Sequence, residues 1–568
     1  MSTLVTRRPR AGAASERLGA RGIGGGAALV HRHPGARAAR EPGSHAARVL
    51  GVFLAALLLL STYMTANAAA AEPATTAGGG ASAPAGADGT GPGAAAGDVM
   101  GDGAGGAVEP DGRGSATDAG SVEAADRAAE DGVPPALGSA DSSGSLEPAA
   151  PEERTPDRYL PDSPADPWYA NPPTIDPATP PGTILASRPI RPMPLRFFGV
   201  ASAWQVLVRS TDSHGARQAI VATILTPKKE WTGPGSRPLV SSNYPIDSLG
   251  LDCSPSYTIT HEFELPDVPT PLDQRFLDAG MAVVIPDHEG PKAAYAAGRQ
   301  AGNAVLDSIR AARAFVPPGE TAAPLADSKI AQVGYSGGAI AAGWAAQIQP
   351  TYAPELGEDF VGSSIGGVPA DLGVLLTSMD GYLGSAGLFR AAVLGLAREY
   401  PEIYSLLNPA GDVFAHGVRN ACEKELTAQG IAPMKISDLT DTENVLADER
   451  VRRVISENSM GPDPSRPSEI PAHPVQIWQG DESEPLVPGS SGGINDFWIP
   501  TWAAKRLGDR WCDKGVPVEY TPVPGEHIIA GKSGIEPAFD WIDARLRGEP
   551  PGATCRDMSG GTPARPSA

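Results

Sequence analysis

The chain has 568 residues, but 58 are proline and 68 are glycine, so its length overstates how much of it folds. Its formal net charge is −21 at pH 7, and the first 48 residues hold nine arginines against two acids, so the remainder carries about −28. Such an acidic chain lacks the positive surface that attracts nucleic acid or anionic lipid headgroups. We therefore expect no nucleic-acid partner.

An export signal is predicted near the N-terminus. The arginine-rich start is followed by residues 49–71, which carry no charge and have four consecutive leucines at their centre. Small residues at Ala66 and Ala68 are typical of a signal-peptidase site. We predict a signal peptide or leader at residues 1–71 and a secreted, extracellular protein. The alternative is a membrane anchor at residues 49–71, since 23 uncharged residues can just span a bilayer.

Composition divides the rest of the chain into three parts. Residues 72–155 are rich in Ala, Gly, Ser, Pro, Asp and Glu and cannot bury enough apolar surface to offset the entropy of ordering. We predict that they form a disordered spacer. Residues 156–556 have the composition of a large folded domain, and residues 557–568 are predicted to be a flexible tail.

Short apolar runs alternate with helical patterns in the folded part, which favours an α/β fold with a parallel sheet. The predicted strands are a hairpin at 204–209 and 219–226, followed by 239–242, 281–285, 329–333, 475–478 and 518–523. Val305, Ile309, Ala312 and Val316 recur at helical spacing, and a terminal amphipathic helix is predicted at 539–546. Residues 370–470 are predicted to be mostly helical, with helices at 388–399 and 445–457, as a cap over the site or as cover for one sheet face.

A candidate nucleophile lies in the sequence Gly334-Tyr335-Ser336-Gly337-Gly338, between the strand at 329–333 and a run of small residues. A strand, a sharp turn with serine at its apex and a helix are the setting of a nucleophile elbow. The flanking glycines fit because bulk at either position would collide with the turn or with the helix behind it. We predict Ser336 as the nucleophile of an acyl-transfer reaction.

A serine needs a base, and in α/β-hydrolases the chain order is serine, acid, histidine. Three histidines follow Ser336. His416 lies in the helical insertion and His473 lies between two prolines before a strand. His527 follows the last predicted strand, where sheet enzymes place catalytic groups, so we predict His527 as the base.

The acid is sought in the loop after the strand that ends at Trp478. Glu484 lies three residues before the apolar Val487 and four before Pro488, and this spacing makes it our predicted acid. Asp481 is the alternative if the loop bends earlier. Glutamate can orient a histidine when the loop compensates for its length.

The oxyanion hole requires two N–H donors. Gly337, the residue after the nucleophile, is predicted to supply one; the other is sought in the loop 243–248, which lacks the usual glycine-rich motif. The four cysteines are an even number in an exported chain, which suggests two disulfides. They are scattered and have no histidine neighbours, so no metal site is expected, and no cofactor.

Several separate motifs resemble those of the secretory lipases typified by Candida antarctica lipase A, many of whose bacterial members are exported actinobacterial proteins. They are Cys253 to Tyr257, Pro286 to Pro291, Gly334 to Gly338, Tyr352 to Leu356 and Gly366 to Pro369. The resemblance extends from about Asp157 to Cys555. It implies an α/β-hydrolase fold with a helical cap (lid) insertion and hydrolysis of triacylglycerols or related carboxylic esters, at a lipid–water interface.

The resemblance also assigns residues. It implies Ser336 and His527 as nucleophile and base, and Gly337 and Asp247 as oxyanion donors, Asp247 through its backbone N–H with a one-residue offset. Glu484 falls where the family has aspartate, and His288 falls where tyrosine is common. Disulfides are implied between Cys253 and Cys422 and between Cys512 and Cys555.

Other functions remain open at this point. One alternative is an esterase or acyltransferase that acts on other lipid esters. A second, from a different class, is a catalytically silent hydrolase-fold binding protein, which only the altered acid loop favours.

Overall fold

A computed structural model describes residues 155–191, 198–261, 271–484, 493–552 and 555–556. All of these belong to one compact unit, Gly138–Ala568. The predicted leader, the spacer and the C-terminal tail lie outside the described residues, apart from Thr155 at the end of the spacer. Within the part of the chain that is described, no helix has both the length and the apolar character needed to cross a membrane.

One nine-stranded sheet forms the framework, in the order β1-β2-β3-β5-β4-β6-β7-β8-β9. The strands are β1 (Ile184–Pro189), β2 (Val200–Thr211), β3 (Arg217–Pro227), β4 (Leu239–Asn243), β5 (Ala282–Pro286), β6 (Ile330–Tyr335), β7 (Phe360–Gly366), β8 (Val475–Gly480) and β9 (Val518–Val523). Neighbouring strands from β1 through β2 and β3 to β5 pair antiparallel. From β5 onward, through β4, β6, β7 and β8 to β9, each strand pairs parallel with the next in the sheet. The predicted hairpin and the predicted α/β class are confirmed.

Helices cover both faces of the sheet. The described α-helices are α1 (Pro167–Ala170), α2 (Pro255–His261), α3 (Pro271–Asp278), α4 (Gly298–Ala314), α5 (Gly337–Tyr352), α6 (Leu372–Ser378), α7 (Ala386–Glu399), α8 (Pro409–Gly417), α9 (Glu423–Gln429), α10 (Glu449–Asn458), α11 (Thr501–Cys512), α12 (His527–Ser533) and α13 (Ile535–Leu546). Helices α4 and α5 pack together over one face of the sheet, and α3 and α13 pack over the other. The main core lies under α3 and α13, where Phe276 and Trp541 meet the buried side chains of the central strands.

The helical insertion runs between β7 and β8 and comprises α6 to α10, which we call the cap. Its predicted helix at 445–457 is a short 3-10 turn, Val445–Ala447, followed by α10, because Asp448 caps a new helix start by accepting from the Arg450 N–H. A disulfide between Cys253 and Cys422 ties the cap to the loop after β4. A second disulfide, Cys512–Cys555, ties α11 to the C-terminal segment, so both implied pairings are confirmed.

Candidate active site

The sharp turn between β6 and α5 presents Ser336. Its φ of +54° lies in the left-handed region, which a serine adopts only under constraint. A Cβ on Gly334 would overlap the carbonyl of Gly338, and a Cβ on Gly338 would overlap the carbonyl of Asn243. The two glycines therefore allow the strand, the turn and the helix to approach closely enough to hold the serine at the apex.

His527 reaches this serine from the other end of the chain. It opens α12 directly after β9, and its Nε2 lies 2.9 Å from Ser336 Oγ. Glu526 fixes the helix start by accepting hydrogen bonds from the N–H groups of Ile528 and Ile529. The Tyr335 hydroxyl donates to the main-chain carbonyl of His527, so the elbow itself holds the histidine in place.

The other two histidines downstream of Ser336 lie elsewhere. His473 is buried, stacks on Phe360 and pairs through Nε2 with Ser363 Oγ at 2.7 Å. Burial lowers the pKa of His473 to about 3, so it is a neutral structural residue. His416, in the cap, contacts the carbonyl of Arg158.

The carboxylate at His527 belongs to Asp496. Its Oδ2 lies 2.6 Å from His527 Nδ1, and this oxygen also accepts from Gln479 Nε2 at 2.9 Å. Oδ1 accepts from the main-chain N–H groups of Trp498 and Ile499, so the carboxyl group is held on both oxygens. Burial disfavours the imidazolium, but the carboxylate of Asp496, with smaller contributions from Asp247 and Glu526, outweighs it, so the pKa of His527 is raised.

The predicted acid is therefore corrected from Glu484, or its alternative Asp481, to Asp496. Asp481 is held by Lys505 at 2.9 Å and by the Tyr520 hydroxyl at 2.8 Å. Although burial opposes ionisation, these partners lower the pKa of Asp481 to about 2. Glu484 lies in the following turn, where its N–H bonds the carbonyl of Asp481.

A loop that returns to its starting point explains the displacement of the acid. The loop leaves β8 at Gly480, and the N–H of Asp496 bonds the carbonyl of Gly480. Glu482 and Asn495 pair across its base, with Glu482 N–H donating to Asn495 Oδ1 at 2.8 Å. Asp496 thus lies beside the end of β8, although 15 residues separate it from Gly480 in sequence.

The sequence carried a signal for this residue. Asp496 precedes Ile499-Pro500 by the same spacing with which Glu484 precedes Val487-Pro488. Two candidates thus matched the apolar-proline pattern, and only the second is an aspartate. Glu484 is the match nearer to the end of β8, whereas Asp496 is the one that contacts His527.

The two predicted oxyanion residues lie beside each other. Gly337 is the first residue of α5, and Asp247 lies in the loop after β4 with a φ of +47°. Asp247 is buried, and it lines a cavity shared with Ser336 and His527. We call residues 244–250 the oxyanion loop.

The oxyanion loop is tied to the cap. The N–H of Leu249 donates to the carbonyl of Ala421, and the N–H of Glu423 donates to Ser248 Oγ at 3.0 Å. Arg398, on cap helix α7, is buried and donates to the carbonyl of Leu249. Together with the Cys253–Cys422 disulfide, these contacts couple the cap to the loop that faces the nucleophile.

One group of the described residues has side chains of the types that bind metal ions. One cluster brings Asp252 close to Cys253 and Cys422. Both sulfurs are consumed by the disulfide, so a single carboxylate remains, which is too few ligands for zinc or calcium.

Comparison with known proteins decides the family. Residues 267–554 match the family described as Secretory lipase. The chain belongs to the secretory lipase family. This secretory lipase is 30% identical to Lipase 4 of Candida albicans over 419 residues, which cover 70% of this chain and 85% of the relative. It is 34% identical to the secreted triacylglycerol lipase LIP1 of Malassezia furfur over 407 residues, 68% of this chain and 76% of that one.

Solved structures agree with the fold. Candida antarctica lipase A in its closed state aligns with this secretory lipase at a TM-score of 0.57 and 27% identity, covering 70% of this chain and 87% of that one. The Xanthomonas oryzae esterase LipA aligns at a TM-score of 0.50 and 15% identity, covering 66% of this chain and all of that one. The α/β-hydrolase fold predicted from the sequence is thereby confirmed, and the chain is a carboxylic ester hydrolase of the lipase type.

Proposed function

We propose that this secretory lipase hydrolyses triacylglycerols and related lipid esters through Ser336, His527 and Asp496. The observation that carries the proposal is the unbroken contact from Ser336 Oγ through the imidazole of His527 to the Asp496 carboxylate, with separations of 2.9 and 2.6 Å. A serine, a base and an orienting acid in this arrangement perform acyl transfer on many folds.

The proposed reaction has two halves. His527 Nε2 takes the proton of Ser336 Oγ as the oxygen attacks the ester carbonyl, and Asp496 stabilises the imidazolium that forms. The N–H of Gly337 donates to the developing oxyanion. The imidazolium then protonates the leaving alcohol, which leaves an acyl-enzyme. Water, activated by the same imidazole, releases the fatty acid and restores Ser336.

Asp496 also weighs against a catalytically silent protein. The only feature that favoured such a protein was the lack of an aspartate in the expected slot. Because Asp496 meets His527 from further along the same loop, that reason no longer applies. The raised pKa of His527 makes its imidazole a stronger proton acceptor, which suits a general base.

We propose that the cap holds the acyl chain. An apolar cavity beside Ser336 and His527 is lined by Leu375, Leu388 and Phe389, among others. A second apolar cavity inside the cap shares Leu375 and Phe389 with the first. Among the leucines of the cap helices, Leu375, Leu376 and Leu388 line these cavities. Leu394 is buried but lines neither of the two.

Leu375→Trp should shift the chain-length preference toward short acyl groups, because Leu375 lines both cavities and the larger indole would occupy space in them. We expect kcat/KM for a long-chain ester to fall about tenfold or more relative to a butyrate ester, since each buried CH₂ is worth about 0.8 kcal/mol. Rates on esters of graded chain length measure this, and the butyrate rate of the same variant is the internal control. Equal losses on all chain lengths would argue against the assignment.

Fatty-acid release from an emulsified long-chain triacylglycerol tests the substrate class. We expect release from the emulsion as well as from a short soluble ester, because the cap encloses an apolar cavity that can take up part of a long acyl chain. Turnover of the soluble ester alone would instead identify an esterase for other substrates. An alcohol acceptor added to the same assay reports transfer in place of hydrolysis.

We propose that the protein acts outside the cell. The arginine-rich, leucine-centred N-terminal region supports export, although it lies outside the described residues. Two disulfides support an oxidising compartment. The name of the Malassezia furfur relative, a secreted triacylglycerol lipase, supports the same conclusion.

A further inference from the structure

Two cavities share Ser336 and His527 in their walls. The apolar one is proposed above to hold the acyl chain. The larger one has a volume of about 790 Å³, and its walls include residues 244–248 of the oxyanion loop and most of residues 417–425 of the cap, which we call the wall segment. An ester whose acyl chain fills the apolar cavity has the larger one left for its alcohol part. We call it the alcohol cavity.

Arg398, near the end of α7, does not line the alcohol cavity but contacts both of these walls. Its Nη1 lies 2.7 Å from the carbonyl of Leu249 in the oxyanion loop. The same Nη1 lies 2.8 and 2.9 Å from the carbonyls of Lys292 and Ala293, in the loop after β5. Its Nη2 donates to the carbonyl of Arg419, in the wall segment, at 2.8 Å. One side chain thus joins the oxyanion loop, a core loop and the cap.

The guanidinium of Arg398 is buried at this junction. The residue is 5% exposed. Burial lowers the pKa of Arg398 to about 10, against the opposing effects of Tyr404 and Glu289, so the group stays charged at neutral pH. A planar guanidinium donates in fixed directions, whereas the ammonium of a lysine is a compact donor on a flexible stem. Arg398 therefore holds the carbonyls of the two walls in a defined relative position.

The end of α7 that carries Arg398 is fixed to the core. A Cβ on Gly395 would overlap the main chain of Tyr295, so the helix lies directly against the loop after β5. Glu399, the last residue of α7, accepts from the N–H of Ser213 at 2.8 Å, in the turn between β2 and β3. Arg398 thus acts from a part of the cap that is held in place on both sides.

We propose that Arg398 is a positioning residue, which holds the oxyanion loop and the wall segment at the separation that the reaction at Ser336 requires. This inference rests on the proposed function, since it requires ester turnover there. Arg398 binds the carbonyl of Leu249, two residues after Asp247, which the family resemblance implies as an oxyanion donor. A displacement of about 1 Å at such a group can cost about 100-fold in rate.

Arg398→Lys tests the proposal, because one ammonium cannot donate to Leu249 and Arg419 as the guanidinium fork does. We expect kcat for a soluble butyrate ester to fall about 10- to 100-fold. KM should stay within a few fold of the parent, because the acyl cavity is untouched. Arg398→Gln, which is neutral and shorter, should lose more, and it serves as the test where Arg398→Lys does not fold. The Cys253–Cys422 disulfide persists in both variants, so the walls shift without separating.

The alcohol part of the substrate gives a second readout. Rates on esters of one acid with alcohols of graded size should change their ratio in Arg398→Lys, severalfold in favour of bulky alcohols, because the cavity walls are held less firmly. Rates on esters of one alcohol with acids of graded length should keep the parental ratio. A weakened fold would lower all of these rates alike, and equal losses on every ester would overturn the proposal.

Arg390→Lys is the matched control. Arg390 also lies on α7, is 1% exposed, and donates to main-chain carbonyls. Its acceptors are the carbonyls of Gln429 and Met434, which both belong to the cap, so these bonds do not join the cap to the core. We expect Arg390→Lys to lower the melting temperature, while kcat and the preference among alcohols stay within a few fold of the parent.

Three further results would overturn the proposal. One is a folded Arg398→Lys, as judged by its thermal transition, that keeps the parental kcat. Another is an equal loss of kcat in Arg398→Lys and Arg390→Lys. The third needs no turnover: hydrogen exchange at the amide of Leu249, which bonds Ala421, that is no faster in Arg398→Lys than in the parent. Failure of the proposed function looks different, because the parent itself would then neither turn over the ester nor react with a fluorophosphonate.

Discussion

Ser336→Ala should lower kcat for ester hydrolysis by about a millionfold, the loss seen when a serine hydrolase loses its nucleophile. The reason is local, because Ser336 Oγ is the only atom at the elbow that His527 Nε2 can deprotonate in the described geometry. Initial rates on a butyrate ester, with the purified variant at high concentration, measure the residual activity. A variant that kept a tenth of the parental rate would place the nucleophile elsewhere.

Ser363→Ala is the matched control for that variant. Ser363 is also a buried serine on the parallel sheet, but its hydroxyl bonds Gln332 and His473 instead of His527. Its loss should reduce the free energy of unfolding by about 1–3 kcal/mol, because a buried partner is left unsatisfied. We expect kcat to stay within a few fold of the parent. A large loss of kcat here would show that the assay reports stability more than chemistry.

Asp496→Asn should lower kcat about 10,000-fold while leaving the fold intact. The amide would face His527 Nδ1 and favour the tautomer that carries its proton on Nε2, which cannot accept the proton of Ser336. The hydrogen bonds from Trp498 and Ile499 to Oδ1 can persist, so the loop should keep its place. Steady-state kinetics with a thermal melt as the folding control measure both effects.

Glu484→Gln and Asp481→Asn separate the three acids of this loop. Glu484→Gln should leave kcat within a few fold of the parent. Asp481→Asn weakens the pairing with Lys505 and Tyr520. It should therefore lower the melting temperature while kcat stays within a few fold of the parent. A 10,000-fold loss in either of these variants, with Asp496→Asn unaffected, would return the acid to the first part of the loop.

The parts of the site that the sequence predicted are those set by local chemistry. Ser336 was marked by glycines that a tight strand–turn–helix crossing needs. His527 was marked by its place after the last strand. Asp496 depends on a loop of 15 intervening residues that returns to Gly480, and apolar periodicity does not show where such a loop closes. The pairing of Glu482 with Asn495 that closes it is a tertiary contact.

The same difference between local signals and tertiary contacts decides which strands the sequence predicted. Strands with branched apolar residues were predicted within a few residues of their true ends. Strand β7 was missed because Gly362, Ser363 and Ser364 interrupt its apolar run, although the sheet buries them on both sides. The first strand, β1, lies at the sheet edge and is only partly buried, so it lacks an apolar signature. Val316 was placed on a helix that ends at Ala314, and it is exposed.

Asp247 has an electrostatic environment that sequence patterns do not reveal. An aspartate in a loop between strand and helix is normally a solvated charge. Here burial and the neighbouring Glu423 raise its pKa to about 7, and its side chain faces Gly337. The groups that surround this carboxyl group come from three separate segments of the chain: the loop after β5, the start of α9 and the start of α12.

Labelling with a fluorophosphonate, followed by peptide mapping, tests the triad most directly. We predict a single adduct on Ser336 in the parent, a labelling rate reduced at least 100-fold in Asp496→Asn, and a parental rate in Glu484→Gln. The labelling experiment needs no assumption about the natural ester, because the probe reports the activated serine alone. An adduct on another residue, or a loss of labelling in Glu484→Gln with none in Asp496→Asn, would contradict the triad of Ser336, His527 and Asp496.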